Sequence, residues 1–376
     1  MAAKMQVGFY GHVRQYHNLK QEIDRAIIDV LETGQYVMGP TLARFEKELA
    51  DYFGAKYAVG LNSGTDAIWL PLMAAGIGPG DEVITVTNTF FATAEAIWIV
   101  GAKAVFVDSE PKTNNIDVGK IEAAITPRTK ALLPVHLYGQ CAEMDRIAAI
   151  AKKHKLFVIE DCAQAIDAHG ADFKVGELSD AVATSFIIQK NLGAFGDSGA
   201  MITNREEIAT GVKRLRNHGS LKRSVHTFGF NSRMDDLHAA ILSVKLKYVH
   251  QWNDRRREIA AIYSKALAGT SLKLPFELPG YRHVQHLYVI ETTNGKRDEL
   301  LKFLEDSGID AKCHYPIAIH QQQDFPWGKH AQIVGGVPHS EWNAANCVSL
   351  PMFPELTRDE IDYTIEKTLE WCKANG

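Results

Sequence analysis

Residues 156–168 read LFVIEDCAQAIDA, and residues 183–204 read ATSFIIQKNLGAFGDSGAMITN. Each stretch begins with a short apolar run and continues with small and polar residues, a pattern typical of a buried strand that ends at a loop. Strands of this kind favour a largely parallel sheet, in which ligands bind beyond the carboxyl ends of the strands. The two stretches therefore predict an α/β sheet with functional residues directly after its strands.

The same rhythm extends over the first two-thirds of the chain. Helical patterns at 19–31 and 39–54 come first, and we expect Thr41 to cap the second helix. Between the later apolar runs lie helical segments at 66–75, 144–153 and 206–216, which is the alternation of an α/β fold. Seven strands are predicted, at 57–61, 82–86, 104–108, 131–135, 156–161, 183–188 and 200–204.

The C-terminal third has a different pattern. Residues 233–267 predict one long helix that leaves the sheet. A strand at 287–292 and a helix at 297–308 follow, with a loop rich in His, Pro and Gln after them. A smaller α+β domain fits this order of elements.

Composition excludes several classes of protein. The 376 residues carry 41 Lys and Arg against 45 Asp and Glu, a net charge of −4, which offers no general attraction for nucleic acid or an acidic membrane. The five cysteines are scattered and form no CxxC pair, so neither a disulfide framework nor a zinc site is predicted. No apolar stretch approaches the roughly 18 residues of a membrane span, and the N-terminus lacks an apolar signal core. We expect a soluble, cytoplasmic protein without a metal.

Four segments that follow strands carry the candidate chemistry. Residues 62–67, NSGTDA, would open a helix and offer amides and hydroxyls to a phosphate, although a simple N-cap explains them equally well. Asp161 ends a buried strand and needs a cationic or hydrogen-bonding partner, which a local ion pair or a helix cap would also provide. Lys190 follows an apolar strand, where burial would make its amine nucleophilic. Phe90 offers an aromatic face, or packs in the core.

Taken together, these segments match the needs of one cofactor. Pyridoxal 5′-phosphate requires an anchor for its phosphate, an aromatic plate for its ring, a carboxylate at its ring nitrogen and a lysine for its aldehyde. All four occur in this order along an α/β chain. The sequence therefore indicates a pyridoxal phosphate enzyme.

From about Tyr16 to Phe353 the chain resembles the DegT/DnrJ-type family of sugar aminotransferases. The resemblance implies the pyridoxal phosphate transferase fold type I, with a large domain over residues 1–250 and a small α+β domain over residues 251–376. The large domain would contain an N-terminal helical segment and a seven-stranded, mostly parallel sheet between helices. The matching motifs are GQYVMGP (34–40), SGTDA (63–67), GPGDEVI (78–84), PVHLYGQ (134–140), EDCAQAIDA (160–168), SFIIQKNLGAFGDSGA (185–200), FNSRMDDLHAAIL (230–242) and HYP (314–316).

The resemblance also implies roles for individual residues. Lys190 would bind the cofactor covalently and then shuttle a proton, and Asp161 would keep the ring nitrogen protonated. Gln164 would hydrogen-bond the phenolic oxygen of the cofactor, and Phe90 would stack on its ring. The residues expected to hold the phosphate are Gly64, Thr65 and Ser185.

Further residues are expected to complete the site. Asn231 matches an asparagine that reaches the phosphate of the partner subunit, which implies an obligatory homodimer. His314, Tyr315 and His320 lie on a loop that approaches the substrate in relatives, although a loop without a ligand is the simpler alternative. Arg223 belongs to a basic stretch and is a candidate contact for a nucleotide diphosphate across the dimer.

Two departures from the family pattern fall near the expected substrate pocket. Residues 187–189 read IIQ where relatives carry an aromatic residue and a proline, and residues 196–199 read GDSG where GDGG is commoner. Neither change removes a group that the reaction needs. Both bear on the substrate that the pocket accepts.

The implied reaction is a transamination from L-glutamate to a nucleotide-linked keto sugar, with pyridoxamine 5′-phosphate as the intermediate form of the cofactor. The motifs at 136–140 and 231–242 resemble members that aminate C-3 of a dTDP-3-keto-6-deoxyhexose. The alternatives are amination at C-4 of a UDP- or GDP-linked sugar, a pyridoxamine-dependent dehydratase, in which histidine replaces the lysine, and a non-catalytic regulator. A nucleotide-sugar reductase is disfavoured because no GxGxxG follows the first strand.

Overall fold

The computed structural model describes residues 5–222, 224–323 and 325–375. Its helices alternate with strands through the first two-thirds of the chain, as the sequence predicts. The α-helices of the described residues are α1 (His12–Thr33), α2 (Pro40–Phe53), α3 (Gly64–Ala74), α4 (Ala92–Ile99), α5 (Ile121–Ala124), α6 (Met144–His154), α7 (Glu206–Leu215), α8 (Asp236–Leu246), α9 (Val249–Leu267), α10 (Arg297–Asp306), α11 (Pro338–Asn346) and α12 (Arg358–Asn375). The strands are β1 (Tyr57–Leu61), β2 (Glu82–Val86), β3 (Lys103–Val107), β4 (Thr129–Leu132), β5 (Phe157–Asp161), β6 (Ala181–Ser185), β7 (Gly199–Thr203), β8 (Tyr288–Glu291), β9 (Ala331–Ile333) and β10 (Cys347–Leu350).

The large sheet has the strand order β1-β7-β6-β5-β4-β2-β3-β9. Strands β6, β5, β4, β2, β3 and β9 run parallel to one another, whereas β7 is antiparallel to both β1 and β6. The seven predicted strands are confirmed. The sheet has an eighth strand that we did not predict, because β9 is only three residues long and pairs at the edge with β3. A separate two-stranded sheet joins β8 and β10.

Two local predictions were wrong. The single helix expected over 233–267 is two helices, α8 and α9, which are separated at Lys247 and Tyr248. Thr41 does not cap α2, because Gly39 is the N-cap residue and Pro40 begins the helix. The first amides of α2 are instead satisfied by the Asp236 carboxylate, which accepts hydrogen bonds from the N–H groups of Gly39, Thr41 and Leu42 at 2.9, 3.1 and 3.0 Å.

The apolar residues form two large cores. The first lies around the eight-stranded sheet and the helices that cover it. The second lies between α9, α10, α12 and the two-stranded sheet, and it also receives Val7 from the N-terminal segment. The main chain of Val7 is held there by hydrogen bonds to Gly308 and Asp310, each 2.9 Å long. The domain boundary at residues 250 and 251 remains a prediction.

We find no helix in the described residues that is both long and apolar enough to cross a membrane.

Candidate active site

A cavity of about 410 Å³ opens at the carboxyl ends of the parallel strands. Its walls come from the segments that follow β1, β2, β5 and β6, from the N-terminal segment and from the C-terminal third of the chain. Residues that line it include Tyr10, Ser63, Gly64, Thr65, Phe90, Asp161, Gln164, Ser185, Lys190, Asp197, Arg256, His286, His314, Tyr315 and Met352. The sheet therefore brings together most of the residues that the sequence singled out.

The N-terminus of α3 forms one wall of the cavity. Ser63 caps this helix, since its Oγ accepts a hydrogen bond from the N–H of Asp66 at 3.1 Å. The amides of Gly64 and Thr65 donate to no group among the described residues, so they remain available to an anion. Gly64 lies against Ser185, where an added Cβ would come within 2.6 Å of the Ser185 Cβ. The turn is thus both a capped helix start and a cradle with free donors.

Asp161 is buried at the end of β5, with 6% of its surface exposed. Its Oδ1 accepts the N–H of Ala163 at 3.1 Å, and its Oδ2 accepts the hydroxyl of Thr93 at 3.3 Å. Burial raises the pKa of this carboxyl, and the nearby Lys190 opposes that shift. A cationic N–H that entered the cavity would compensate the buried charge of Asp161.

Lys190 lies in the turn after β6, where its main-chain N–H donates to the carbonyl of Ile187 at 2.9 Å. Its Nζ makes no hydrogen bond with any residue that the structure describes. Burial of the amine in the cavity lowers the pKa of Lys190 to about 8, although the charge of Asp161 opposes that shift. At pH 7 roughly a tenth of the amine is therefore neutral and nucleophilic, far more than for a lysine with the ordinary pKa.

Gln164 links the sheet edge to the C-terminal loop. Its Oε1 accepts the main-chain N–H of Tyr138 at 2.7 Å, and its Nε2 donates to the Tyr315 hydroxyl at 3.0 Å. The Tyr315 ring in turn lies 5.7 Å from the ring of Phe90, with 39° between the planes. Phe90 is 56% exposed, so it is not a core residue and presents a free aromatic face at the cavity.

The residues predicted on the C-terminal loop divide into two groups. His314 and Tyr315 line the cavity, and the His314 Nδ1 is 2.8 Å from the Ser349 hydroxyl. Burial, with Lys190 and Lys312 nearby, lowers the pKa of His314 to about 4. His320 does not line the cavity, because its side chain turns to Glu341, 2.9 Å from its Nε2.

Of the two residues predicted to act across a dimer, the structure describes Asn231, which does not line the cavity of its own chain. Asn231 is exposed and pairs through its main chain with Asn217. Arg223 lies outside the described residues.

Several cavity residues were not predicted. Tyr10 comes from the N-terminal segment, and Arg256 and His286 come from α9 and from the segment before β8. His286 is buried, and its Nδ1 lies 2.8 Å from the Asn191 Oδ1. Most of the cavity residues that were predicted were singled out because they directly follow strands of the large sheet. None of these three does so.

Comparison with known proteins agrees with this geometry. The sequence profile of the DegT/DnrJ/EryC1/StrS aminotransferase family matches residues 17–369. A pleiotropic regulatory protein of Geobacillus stearothermophilus is 46% identical over 96% of each chain. The dTDP-3-amino-3,4,6-trideoxy-alpha-D-glucose transaminase of Streptomyces venezuelae is 42% identical over 95% of this chain and 94% of the relative. Other matches also have names that place the amino group at C-3, on dTDP- or UDP-linked sugars.

Solved structures agree as well. The S. venezuelae protein DesV, crystallised in complex with a ketimine intermediate, superposes with a TM-score of 0.94 and 41% identity, and the match covers 98% of this chain and 99% of that chain. The predicted fold class is thereby confirmed.

Proposed function

The chain belongs to the DegT/DnrJ/EryC1/StrS aminotransferase family, and from this premise we propose that it aminates a nucleotide-linked keto sugar. The amino group comes from L-glutamate, which leaves as 2-oxoglutarate, and the keto sugar becomes the amino sugar. One observation carries the proposal: a single cavity contains a buried carboxylate together with a lysine amine and helix amides that have no partner among the described residues. These are the groups that pyridoxal 5′-phosphate requires.

The cavity fits that cofactor. The free amides of Gly64 and Thr65, with the Ser185 hydroxyl beside them, would hold its phosphate at the positive end of α3. The Phe90 ring would cover the face of its pyridine, and the Gln164 side chain, already oriented by Tyr138, would contact its phenolic oxygen. When bound, pyridoxal phosphate supplies an electron sink and carries the amino group between the two substrates.

Asp161 would keep the ring nitrogen protonated. Its carboxylate is fixed by the N–H of Ala163 and the hydroxyl of Thr93, and it lies in surroundings that disfavour an isolated negative charge. A protonated ring nitrogen therefore gains a strong electrostatic partner in Asp161.

Lys190 would serve first as the anchor of the cofactor and then as the base that moves a proton between the cofactor and the substrate carbon. Both tasks need a neutral amine, and burial supplies it by lowering the pKa of Lys190 to about 8. The presence of lysine at this position also disfavours the dehydratase alternative.

We assign the amination to C-3 of a dTDP-linked 3-keto-6-deoxyhexose. Support comes from the motifs at 136–140 and 231–242 and from the relatives whose names place the amine at C-3. Amination at C-4 of a UDP- or GDP-linked sugar is the second candidate. His314 and Tyr315 are proposed to face the sugar, since both line the cavity beside Lys190. His320 has no cavity surface to support such a contact in this chain.

The working unit is proposed to be a homodimer in the cytoplasm. Asn231 is exposed outside its own cavity, which supports a role in the site of a second subunit. Arg223 remains a candidate contact for the nucleotide diphosphate because it belongs to a basic stretch of the sequence.

The name of the G. stearothermophilus relative favours one alternative, a regulator without catalysis. Such a protein would have no need of Lys190, Asp161 and Gln164 together in one cavity. The enzyme is therefore the better-supported reading.

The proposal is tested with purified protein and a panel of nucleotide sugars. The protein is expected to show the visible absorption of the bound cofactor, and glutamate is expected to convert it to that of the amino form. A product assay on 3-keto and 4-keto sugars linked to dTDP, UDP and GDP then identifies the carbon and the carrier. Lys190→Ala, which should fold normally and transfer no amino group, is the control. Protein that binds no added cofactor would refute the proposal.

A further inference from the structure

Arg256 is a buried cation on the wall of the cavity. It projects from α9, and only 6% of its surface is exposed. Two other residues of the cavity wall, His286 and Met352, contact its guanidinium through their main-chain carbonyls. A buried guanidinium is costly unless its charge and its donors are satisfied.

Only one arm of the guanidinium is satisfied by the protein. Nη1 donates to the carbonyls of Met352, His286 and Gln285 at 2.7, 3.2 and 3.4 Å. Nε is sealed from solvent and has no hydrogen-bond partner. Nη2 also bonds to no group in the described part of the chain, and Arg256 is one of the residues that line the cavity.

No carboxylate of the described residues pairs with Arg256. Glu355 lies within electrostatic reach but forms no ion pair with it within 4.0 Å, and its Oε1 accepts a hydrogen bond from Gln15 at 3.4 Å. Burial accordingly lowers the pKa of Arg256 to about 10, with Glu355 opposing that shift only in part. At neutral pH the side chain is a fixed, charged group that has no counterion in the part of the chain that the structure describes.

The two carboxylates on the cavity wall, Asp161 and Asp197, also make no ion pair with Arg256. Under the proposed function, Asp161 faces the ring nitrogen and Lys190 holds the cofactor, while the helix amides take the phosphate. These assignments give Arg256, a cation of the cavity wall, no anion to bind.

We propose that Arg256 binds a carboxylate of the amino-acid donor. The planar fork, fixed through Nη1, presents Nη2 as a charge-assisted donor. Arg256, His286 and Lys190 all line the cavity, so a carboxylate held by Arg256 would share the cavity with the reactive amine. The inference rests on the proposed function, because it assumes an amino acid as one of two substrates.

A dicarboxylate without an amino group tests the site apart from catalysis. Glutarate is titrated calorimetrically into the holoenzyme, which cannot react with it. Arg256→Met should weaken glutarate binding by roughly 10- to 100-fold, the range expected for losing one hydrogen bond to a charged group. Arg256→Lys keeps the positive charge but loses the planar guanidinium, so its glutarate affinity should lie between those of the wild type and Arg256→Met. Glutarate affinity that is the same in all three proteins would overturn the proposal.

Arg257 provides a matched control. It is the next residue in α9 and pairs with Glu277 and the carbonyl of His283 at 2.7 and 2.8 Å, away from the cavity wall. Arg257→Met should bind glutarate as the wild type does. If Arg257→Met weakens glutarate binding as much as Arg256→Met does, the loss comes from removing any positive charge on this helix, and the assignment of Arg256 is wrong.

Arg256 could instead bind the diphosphate of the sugar nucleotide. Measuring the two half-reactions separately, one with glutamate and one with the keto sugar, distinguishes these two anions. Arg256→Met should raise the glutamate concentration needed for the absorbance change and leave the concentration dependence on keto sugar at its wild-type value. The opposite pattern would assign Arg256 to the diphosphate and contradict the proposal. If glutamate fails to change the absorption of the wild type, the proposed function fails, while glutarate binding still tests Arg256.

If both Arg256 variants fail to fold, the crystal structure of wild-type holoenzyme soaked in glutarate shows where the carboxylate binds. A carboxylate hydrogen-bonded to Arg256 Nη2 supports the proposal. A carboxylate bound elsewhere in the cavity, or none at all, overturns it.

Discussion

The main-chain N–H of Tyr138 donates to the Gln164 Oε1 at 2.7 Å, and this bond orients the amide of Gln164. With the oxygen committed to Tyr138, the NH₂ group is directed at the Tyr315 hydroxyl, 3.0 Å away. Tyr138 itself has a left-handed backbone, with φ at 59°, and its own hydroxyl donates to the carbonyl of His314 at 2.5 Å. The Gln164 amide, which we propose to contact the cofactor, is therefore held in part by the loop that carries His314 and Tyr315.

Gln164→Glu should preserve the acceptor for Tyr138 and lose the donor to Tyr315. We expect cofactor affinity to fall by about 10-fold or more, because the carboxylate cannot donate to the phenolic oxygen of the cofactor and also repels it. Fluorescence titration of the cofactor-free protein with pyridoxal phosphate measures the change.

Gln140→Glu is the control for that variant. Gln140 is buried and bonds to the carbonyl of Phe276 and the N–H of Leu278 at 3.0 and 2.8 Å, outside the cavity. Its substitution should lower stability and leave cofactor affinity unchanged. Equal losses of affinity in both variants would show that Gln164 acts only through stability.

The rate at which cofactor-free protein takes up pyridoxal phosphate should rise with pH through about 8. The pKa of Lys190 is lowered to about 8 from the ordinary 10.5, so the neutral amine grows over this interval and saturates above it. Stopped-flow absorbance between pH 6 and roughly 10 measures the profile. A midpoint near the ordinary lysine pKa would contradict burial as the cause.

Gly64→Ala should disrupt the turn between β1 and α3. The added Cβ would lie 2.6 Å from the Ser185 Cβ, a distance at which one of the two segments must move. We expect a lower melting temperature and weaker cofactor binding. Adding Ser185→Gly should recover part of the stability, because the nearest side-chain atoms are removed, but not the affinity.

Gly78→Ala serves as the comparison for Gly64→Ala. Its nearest neighbour would be the carbonyl oxygen of Val100 at 3.4 Å, an ordinary contact. A loss of cofactor affinity in Gly78→Ala as large as that in Gly64→Ala would argue against the steric explanation.

Asp236→Ala should destabilise the fold by about 2 kcal/mol or more, since three amides at the start of α2 lose their acceptor. Asp236→Asn keeps one carbonyl oxygen and should cost less. Chemical denaturation measures both. The neighbouring Asp235 makes no capping bond with its side chain, so Asp235→Ala should change stability little. Equal effects at the two positions would refute the role of Asp236 as a remote cap.

Local patterns in the sequence were sufficient for much of this structure. The apolar runs located seven strands because strands buried on both faces are short and continuously apolar, and several of the segments that follow these strands line the cavity. Asp161 and Lys190 could be found in this way. The resemblance then supplied Gln164, whose partners Tyr138 and Tyr315 are remote in the chain.

What the sequence could not predict depends on contacts between distant segments. Thr41 has the right chemistry for a cap, but the Asp236 carboxylate takes the amides of α2. His320 lies close in sequence to the cavity residues His314 and Tyr315, yet Glu341 draws its side chain away. Arg256 looks like any basic residue on an amphipathic helix until the fold buries it.

The position of β7 has a consequence for how the protein acquires its cofactor. Because β7 lies between β1 and β6 in the sheet, Leu61 pairs with Gly199, a residue far from it in the sequence. Gly199 in turn packs directly on the carbonyl of Ser63. The cradle at the start of α3 is complete only after this pairing of distant segments, which is among the slower events in folding because it closes a long loop. Binding of the cofactor thus reports that β1 has paired with β7, and a nascent chain that has not yet emerged as far as β7 lacks a finished phosphate cradle.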